Sequence, residues 1–206
     1  MELYFFPTPN AQRALIALEE SGLPYSLRIV DLYKGEQNEE SFGHINKARA
    51  IPVLVDQKGP GDQRLVLTQS VAICIYVAEK SRRLIPSDPG QRLEMFEWMM
   101  LAASDVAGTN TAINQLRRSA PEKSETNCVF FEERLIKYMA LCDDRLKGNE
   151  YLAGDFSLAD VCLYPFIFAK RQLLDQRDKL HNLRSWKERV EARPAVSKAM
   201  SVSASP

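Results

Sequence analysis

Apolar residues in the N-terminal part of the chain follow two alternating spacings. A helical spacing starts at Asn10 and ends at Ser21-Gly22, and a second one covers 70–80. The apolar runs between them are short enough for strands. The turn-rich stretch 57–63 joins the last two runs as an antiparallel hairpin, whereas a helical crossover makes the first two parallel. The pattern therefore predicts an α/β domain with a mixed four-stranded sheet, with strands at 3–6, 26–32, 52–56 and 64–67.

From residue 82 onwards the pattern changes. The stretch 82–91 holds two prolines and a glycine and is typical of a linker. Beyond it, apolar residues recur three and four positions apart, which predicts helices. We therefore expect an α/β domain at 1–81, a linker at 82–91 and an all-α domain at 92–206, with residues 200–206 as a frayed tail. The predicted helices of the second domain are 92–107, 125–147, 157–174, 183–192 and 193–200.

Charge and composition narrow the functional class. The 206 residues carry 27 Lys+Arg and 27 Asp+Glu, so nothing in the net charge favours nucleic acid or an anionic membrane. The chain has no basic N-terminal leader and no apolar stretch near the ~20 residues that span a bilayer. The four cysteines form no C-x-x-C pair, which predicts buried thiols in the reducing cytoplasm. The two histidines, His44 and His181, are isolated, so we expect no metal site.

The first candidate for chemistry is Pro7-Thr8-Pro9-Asn10, where a predicted strand leads into a helix. One interpretation is structural: Asn10 caps the helix and the prolines fix the turn. The other is that Thr8 and Asn10 act on a ligand, because helix N-termini favour anions such as a thiolate. A hydroxyl that donates to the ionised form would lower the pKa of a bound thiol.

Two later segments leave similar alternatives open. Pro52 is either a trans proline at a strand start or a cis proline that turns the Ile51 backbone outward, where it can pair with an extended peptide. Ser70 either caps the following helix or, together with Gln69, binds a carboxylate and an ammonium group.

The order and spacing of these segments resemble the glutathione transferases over nearly the whole chain. TPN followed by a helix ending in LEE, and VDLYKGEQ, resemble the bacterial nu-class enzymes within that family. The resemblance implies a thioredoxin-like domain that binds glutathione, a helical domain that forms the second-substrate pocket, and a homodimer. The matching stretches are FPTPN (6–10), VDLYKGEQ (30–37), IPVLVD (51–56), QSVAICIYVAEK (69–80), YLAGDFSLADVCLYP (151–165) with Ser157 and Asp160 as a capping box, and RPAVSKA (193–199).

The resemblance also implies residue roles. Thr8 would hydrogen-bond the glutathione sulfur with help from the Asn10 amide, and the attacking thiol would be that of glutathione. Glutathione would thus be a co-substrate with a small disulfide or electrophile, and no metal is implied. The implied glutathione-binding residues are Gln37 at the glycine end, Ile51 with Pro52 at the cysteinyl unit, and Gln69 and Ser70 at the γ-glutamyl group.

Three departures from the family pattern keep other functions open. The basic residue usual just before the Ile51 position is missing, with Arg49 as a substitute one place earlier. Gln69 stands where Glu is more usual, and 108–118 lacks the Gly-Gln, histidine and aromatic residues of the nu class. The alternatives are a non-catalytic binding or regulatory module and a transferase specialised for one electrophile, such as a dehalogenase or an ether-cleaving enzyme. The sequence fixes neither the second substrate nor whether one or two glutathiones bind.

Overall fold

The computed structural model describes residues 1–203, so the end of the expected frayed tail, 204–206, lies outside the described residues. The chain folds as two units. One contains Met1–Leu84 together with the chain from Arg193 onwards, and the other contains Ile85–Ala192. The predicted class, an α/β domain followed by an all-helical domain, is confirmed.

The first unit is built on a mixed sheet of four strands, as predicted. Its strand order is β2-β1-β3-β4. The first two strands pair in parallel, and the other two pairs are antiparallel. This follows from the connections, because a helix joins the parallel pair and a short turn joins the final hairpin. The strands are β1 (Glu2–Phe5), β2 (Ser26–Ile29), β3 (Val53–Asp56) and β4 (Leu65–Leu67).

Helices α1 (Pro9–Ser21) and α3 (Ser70–Ser81) pack against each other, whereas the short α2 (Glu40–Gly43) lies on a different part of the unit. Alternation along the strands supplies apolar side chains to both sheet faces. Phe42 of α2 packs with Tyr4 and Val53 in one buried cluster. Packing against these helices and side chains stabilises the sheet and fixes the positions of its strand ends.

The helical unit contains two π-helical turns, at Leu101–Val106 and Gln115–Ser119, which extend one helical run to Ser119 where the sequence predicted an end at 107. The predicted capping box of Ser157 and Asp160 is present. The α-helices of this unit are α4 (Pro89–Met100), α5 (Ala107–Asn114), α6 (Glu125–Arg145), α7 (Leu158–Ala169), α8 (Arg171–Asp175) and α9 (His181–Glu191).

The last helix, α10 (Pro194–Ser201), packs against α1 of the first unit. Arg193 donates to both carboxylate oxygens of Glu20 on α1, at 2.7 and 2.9 Å. A two-bond arginine–carboxylate pair gives geometric specificity as well as energy. The end of the chain therefore fixes the C-terminal part of α1.

Candidate functional site

The predicted site segments meet at one end of the sheet. Tyr4 in β1 pairs with Val53 in β3. Because these strands run in opposite directions, segment 51–52 enters β3 at the end where segment 6–10 leaves β1. Two of the three sequence motifs are therefore neighbours.

The outer strands bring in the remaining segments. Leu54 of β3 pairs with Leu67 of β4, so residues 68–70 leave β4 at this same end. The strand β2 is parallel to β1, and the amide of Val30 donates to the carbonyl of Phe5 at 2.9 Å. The chain leading to Gln37 therefore also starts here.

These positions form a row whose order follows the strand order. In strand order, the segment that leads from β2 to Gln37 comes first, then Thr8 with Asn10, then Ile51, and finally 69–70. Neighbouring strands lie ~4.8 Å apart, so four strands spread these groups over roughly 14 Å. The row suits an extended ligand a few residues long.

Thr8, and not Asn10, caps α1. The Thr8 hydroxyl accepts a hydrogen bond from the amide of Ala11 at 3.4 Å, and Pro9 is the first helical residue. The expectation that Asn10 caps was wrong because proline favours the first helical position, which makes the preceding residue the cap. A hydroxyl can accept and donate at once, so capping leaves the Thr8 proton available to a ligand.

Asn10 is the second residue of α1 and is exposed to solvent. A backbone N–H group at this helix position has no partner within its own helix and can bind an acceptor. The side-chain oxygen of Asn10 accepts from Nη2 of Arg13 at 2.6 Å. Arg13 was not recognised in the sequence, although an arginine among apolar helix positions, three residues after Asn10, was a usable signal.

Ile51 presents its backbone at the centre of the row. The Ile51–Pro52 peptide bond is cis, one of the two alternatives that the sequence left open. The Ile51 side chain packs on the buried cluster around Phe42. Within residues 1–203, neither the amide nor the carbonyl of Ile51 has a hydrogen-bond partner. Both groups are available for strand-like pairing with a ligand.

The helix α3 begins without a side-chain cap. Gln69 is the N-cap residue, but its side chain makes no capping bond, and Ser70 is the first residue inside the helix. The expectation that Ser70 caps α3 was therefore wrong by one position. An uncapped N-terminus keeps amide donors and the positive end of the helix dipole available to a carboxylate.

Gln37 lies in a 3₁₀ turn, Glu36–Asn38, at the other end of the row. Its side-chain oxygen is buried and has no hydrogen-bond partner among the described residues. Arg49, considered above as a substitute base, instead donates to the backbone carbonyls of Asn38 and Glu39. Arg49 thus stabilises the turn that carries Gln37.

Tyr33 is a second residue beside the row that no sequence pattern indicated. It is 87% exposed, and its ring packs edge-on against Phe6 with centroids 5.2 Å apart. Phe6 is two positions before Thr8, so Tyr33 covers one side of this row. Its position in a polar loop gave no periodic signal.

All four cysteines are buried and none forms a disulfide, as predicted. Burial, with the charges of Asp160 and Asp143 adding to it, raises the pKa of Cys142 to about 12. No helix within residues 1–203 combines the length and apolar character needed to cross a membrane. The same residues contain no group of three or more His, Cys, Asp and Glu side chains that could hold a metal ion.

Comparison with known proteins gives two family matches. A model described as the N-terminal domain of glutathione S-transferase matches residues 8–80, and one described as the C-terminal domain matches 109–201. The family resemblance inferred from the sequence is therefore confirmed.

Individual relatives match over most of their length. The chain is 29% identical over 203 residues to the disulfide-bond oxidoreductase YfcG of Escherichia coli (strain K12). This alignment covers 97% of this chain and 94% of that protein. It is 32% identical over 201 residues to glutathione S-transferase F10 of Arabidopsis thaliana, with coverages of 87% and 91%. A crystal structure of a glutathione transferase from Pseudomonas putida, with one glutathione disulfide bound per subunit, matches with a TM-score of 0.89, 28% identity and coverages of 98% and 90%.

Proposed function

This chain belongs to the glutathione S-transferase family, and from that premise we propose that it is a glutathione-dependent enzyme that reduces disulfides. Its relative from Escherichia coli carries the name disulfide-bond oxidoreductase, and its structural neighbour from Pseudomonas putida binds glutathione disulfide. Both findings fit a site where the thiol of glutathione reacts with a disulfide.

The observation that carries the proposal is the order of the row. Glutathione presents a glycine carboxylate, a cysteinyl thiol and a γ-glutamyl group in that order. The segment that leads to Gln37 leaves the strand at one end of the row, Thr8 and Ile51 are in the middle, and 69–70 are at the other end. An extended chain advances about 3.5 Å per residue, so a tripeptide with its termini spans a distance comparable to four strands.

Each end of the ligand meets suitable groups. The γ-glutamyl carboxylate would bind the uncapped N-terminus of α3 at Ser70, while the Gln69 oxygen accepts from the ammonium group. Gln37 would donate from its side-chain NH₂ group to the carboxylate at the glycine end, because a carboxylate can only accept.

The thiol is activated in the middle of the row. The backbone of Ile51, followed by Pro52, would pair with the cysteinyl unit and hold its sulfur near the Thr8 hydroxyl. The Thr8 hydroxyl and the N–H donors of Asn10, in its backbone and its side chain, would hydrogen-bond the thiolate. The thiol pKa would then fall below its usual ~8.5. A fall of one to two units multiplies the thiolate fraction at neutral pH several-fold.

The reaction then follows thiol–disulfide exchange. The glutathione thiolate attacks one sulfur of the substrate disulfide, which forms a mixed disulfide and releases the other sulfur as a thiolate. A second glutathione attacks the mixed disulfide, so glutathione disulfide and the second substrate thiol leave. The two electrons that reduce the substrate come from the two glutathione molecules.

The quaternary state and location are part of the proposal. The helical unit exposes large apolar side chains, among them Leu93 on α4 at 71% and Phe130 on α6 at 61%. Large apolar side chains that stay exposed favour association, and we assign the contact of a proposed homodimer to these two helices. We assign the second-substrate pocket to the helical domain, and the four buried cysteines, none of which forms a disulfide, support a cytoplasmic location. The domain boundaries 1–81, 82–91 and 92–206 remain predictions.

The decisive experiment separates glutathione binding from thiol activation. We expect the wild type to bind glutathione at millimolar concentration and to reduce 2-hydroxyethyl disulfide. Thr8→Val removes the hydroxyl and should lower kcat/KM at least several-fold, whereas Thr8→Ser keeps a hydroxyl and should retain most of the activity. A chlorinated aromatic electrophile assayed in parallel separates reduction from conjugation.

A matched control tests the effect of losing a cap. Ser124 caps α6 in the helical unit by accepting from the Asn127 amide at 3.2 Å. Ser124→Ala removes a capping hydroxyl outside the row and should leave activity unchanged. Absence of binding at millimolar glutathione would refute the enzyme, and equal activity in Thr8→Val would refute the role of Thr8.

A further inference from the structure

Arg13 is an arginine buried inside the first unit, with 1% of its surface exposed. It lies on α1 three residues after Asn10, so the two side chains are neighbours on one helix face. Nη2 of Arg13 donates to the side-chain oxygen of Asn10 at 2.6 Å. The backbone carbonyl of Arg13 accepts from the Cys74 thiol of α3 at 3.5 Å. The backbone of Arg13 thus contacts the neighbouring helix.

The chemistry of this contact determines the orientation of the Asn10 carboxamide. A guanidinium has donors and no acceptor, so only the oxygen of the carboxamide can face it. The NH₂ group must then point away from Arg13. Asn10 is exposed and is the second residue of α1, two positions after Thr8, so a donor turned away from Arg13 is near the segment proposed to hold the ligand.

We propose that Arg13 is a positioning residue, which holds the Asn10 oxygen and thereby turns the Asn10 NH₂ group toward the sulfur of bound glutathione. The inference rests on the proposed function, since it concerns the same sulfur. Without Arg13 the carboxamide is free to flip, and the flipped form would present an oxygen to the thiolate. Donation to an anion is stabilising, whereas an oxygen facing it is repulsive.

A buried arginine also fills space, so the test must separate positioning from stability. The ultraviolet absorbance of the thiolate, followed against pH, reports the ionisation of bound glutathione. The binding of S-methylglutathione, which has no thiol, reports tripeptide binding independently. A purely structural role would weaken both or neither, while positioning affects only the first.

Arg13→Met removes the donor and keeps an apolar side chain of similar length. We expect the pKa of the bound thiol to rise by roughly half a unit to one unit, which is about a three- to tenfold loss of thiolate below that pKa. S-methylglutathione affinity should stay nearly unchanged. Arg13→Lys keeps a cationic donor and should restore most of the thiol ionisation.

A double-mutant cycle tests whether Arg13 acts through Asn10. In an Asn10→Ala background, Arg13→Met should cause no further change in thiol pKa, because the intermediary is gone. Asn10→Asp keeps an acceptor for Arg13 but has no outward donor and adds a negative charge, so it should raise the thiol pKa more than Asn10→Ala does. Asn10→Ala leaves Arg13 in place, so a thiol pKa that does not rise in this variant would overturn the proposal even if Arg13→Met folds poorly.

The matched control is Ser21→Ala at the other end of α1. The Ser21 hydroxyl is buried and donates to the carbonyl of Leu18 at 2.7 Å, so its loss weakens the same helix without touching Asn10. Ser21→Ala should leave the thiol pKa unchanged. An unchanged thiol pKa in folded Arg13→Met, or an equal rise in the Asn10→Ala background, would overturn the role of Arg13 and leave the proposed function standing. A wild type that does not bind S-methylglutathione would overturn both.

Discussion

Replacing Asp56 with asparagine tests how the first unit ties its sheet to α3. Asp56 ends β3 and is buried. Its carboxylate accepts from Lys80 Nζ at 2.5 Å and from the Tyr76 hydroxyl at 2.7 Å, both on α3. Because the N-terminus of α3 carries residues 69–70, this network fixes one part of the proposed site against another.

The magnitude follows from the ionisation of Asp56. Burial opposes ionisation, but the Lys80 ammonium, the Tyr76 hydroxyl and the Lys58 amide outweigh it and lower the pKa of Asp56 from 3.8 to about 2. At ~1.4 kcal/mol per pKa unit, this difference contributes about 2 kcal/mol to the free energy of unfolding. The folded-state pKa is the lower one, so this stability is present above pH 3.8 and is lost as the pH falls toward 2.

We expect Asp56→Asn to lower the free energy of unfolding by about 2 kcal/mol near neutral pH, and the gap to the wild type to close in acid. Urea unfolding followed by circular dichroism measures this. Tryptophan fluorescence does not report on this unit, because Trp98 and Trp186 both lie in the helical unit.

The control is Asp31→Asn, which removes the ion pair with Lys34, itself 75% exposed, and leaves a side-chain oxygen that can still accept from the Tyr33 and Lys34 amides. A solvent-exposed ion pair contributes little, so this variant should change stability far less than Asp56→Asn. A gap between Asp56→Asn and the wild type that stays constant as the pH falls would refute the reasoning. Equal stability of the two near neutral pH would refute it as well.

Two further predictions concern the helical unit. Burial outweighs donors that include Trp186 Nε1 at 2.8 Å and raises the pKa of Asp160 from 3.8 to about 6, so its ionisation destabilises the fold as the pH rises through that range. Asp160→Asn should remove this part of the pH dependence in urea unfolding followed by tryptophan fluorescence, and parallel pH profiles would contradict it. Replacing both Leu93 and Phe130 with glutamate should dissociate the proposed dimer, so light scattering should measure half the mass. A dimer that survives would exclude these side chains from the subunit contact.

Much of the fold could be predicted because its signals are local. Short apolar runs bounded by turn residues identified each strand, and the helix between β1 and β2 fixed their parallel pairing. The cap assignments at Asn10 and Ser70 failed for a local reason too. Both residues are good caps in isolation, but the cap is decided by where the backbone becomes helical, which was one or two residues earlier in each case.

Other features could not be predicted because distant parts of the chain determine them. The π-helical turns at 101–106 and 115–119 are made of residue types that ordinary helices also contain, so their wider backbone turns leave no mark in the sequence. The burial of Arg13 depends on the packing of α1 against other elements. The exposure of Tyr33 depends on where its loop meets Phe6.

The state of the protein's own cysteines explains why the proposed chemistry concentrates on so few groups. Thiol–disulfide exchange needs a thiolate, and a thiol sealed in an apolar core ionises only at high pH. All four cysteines are buried, and the pKa of Cys142 is raised to about 12. In the proposed mechanism the reactive sulfur therefore arrives with glutathione. The groups that we propose to ionise its thiol are the hydroxyl of Thr8 and the carboxamide of Asn10, whose oxygen accepts from Arg13.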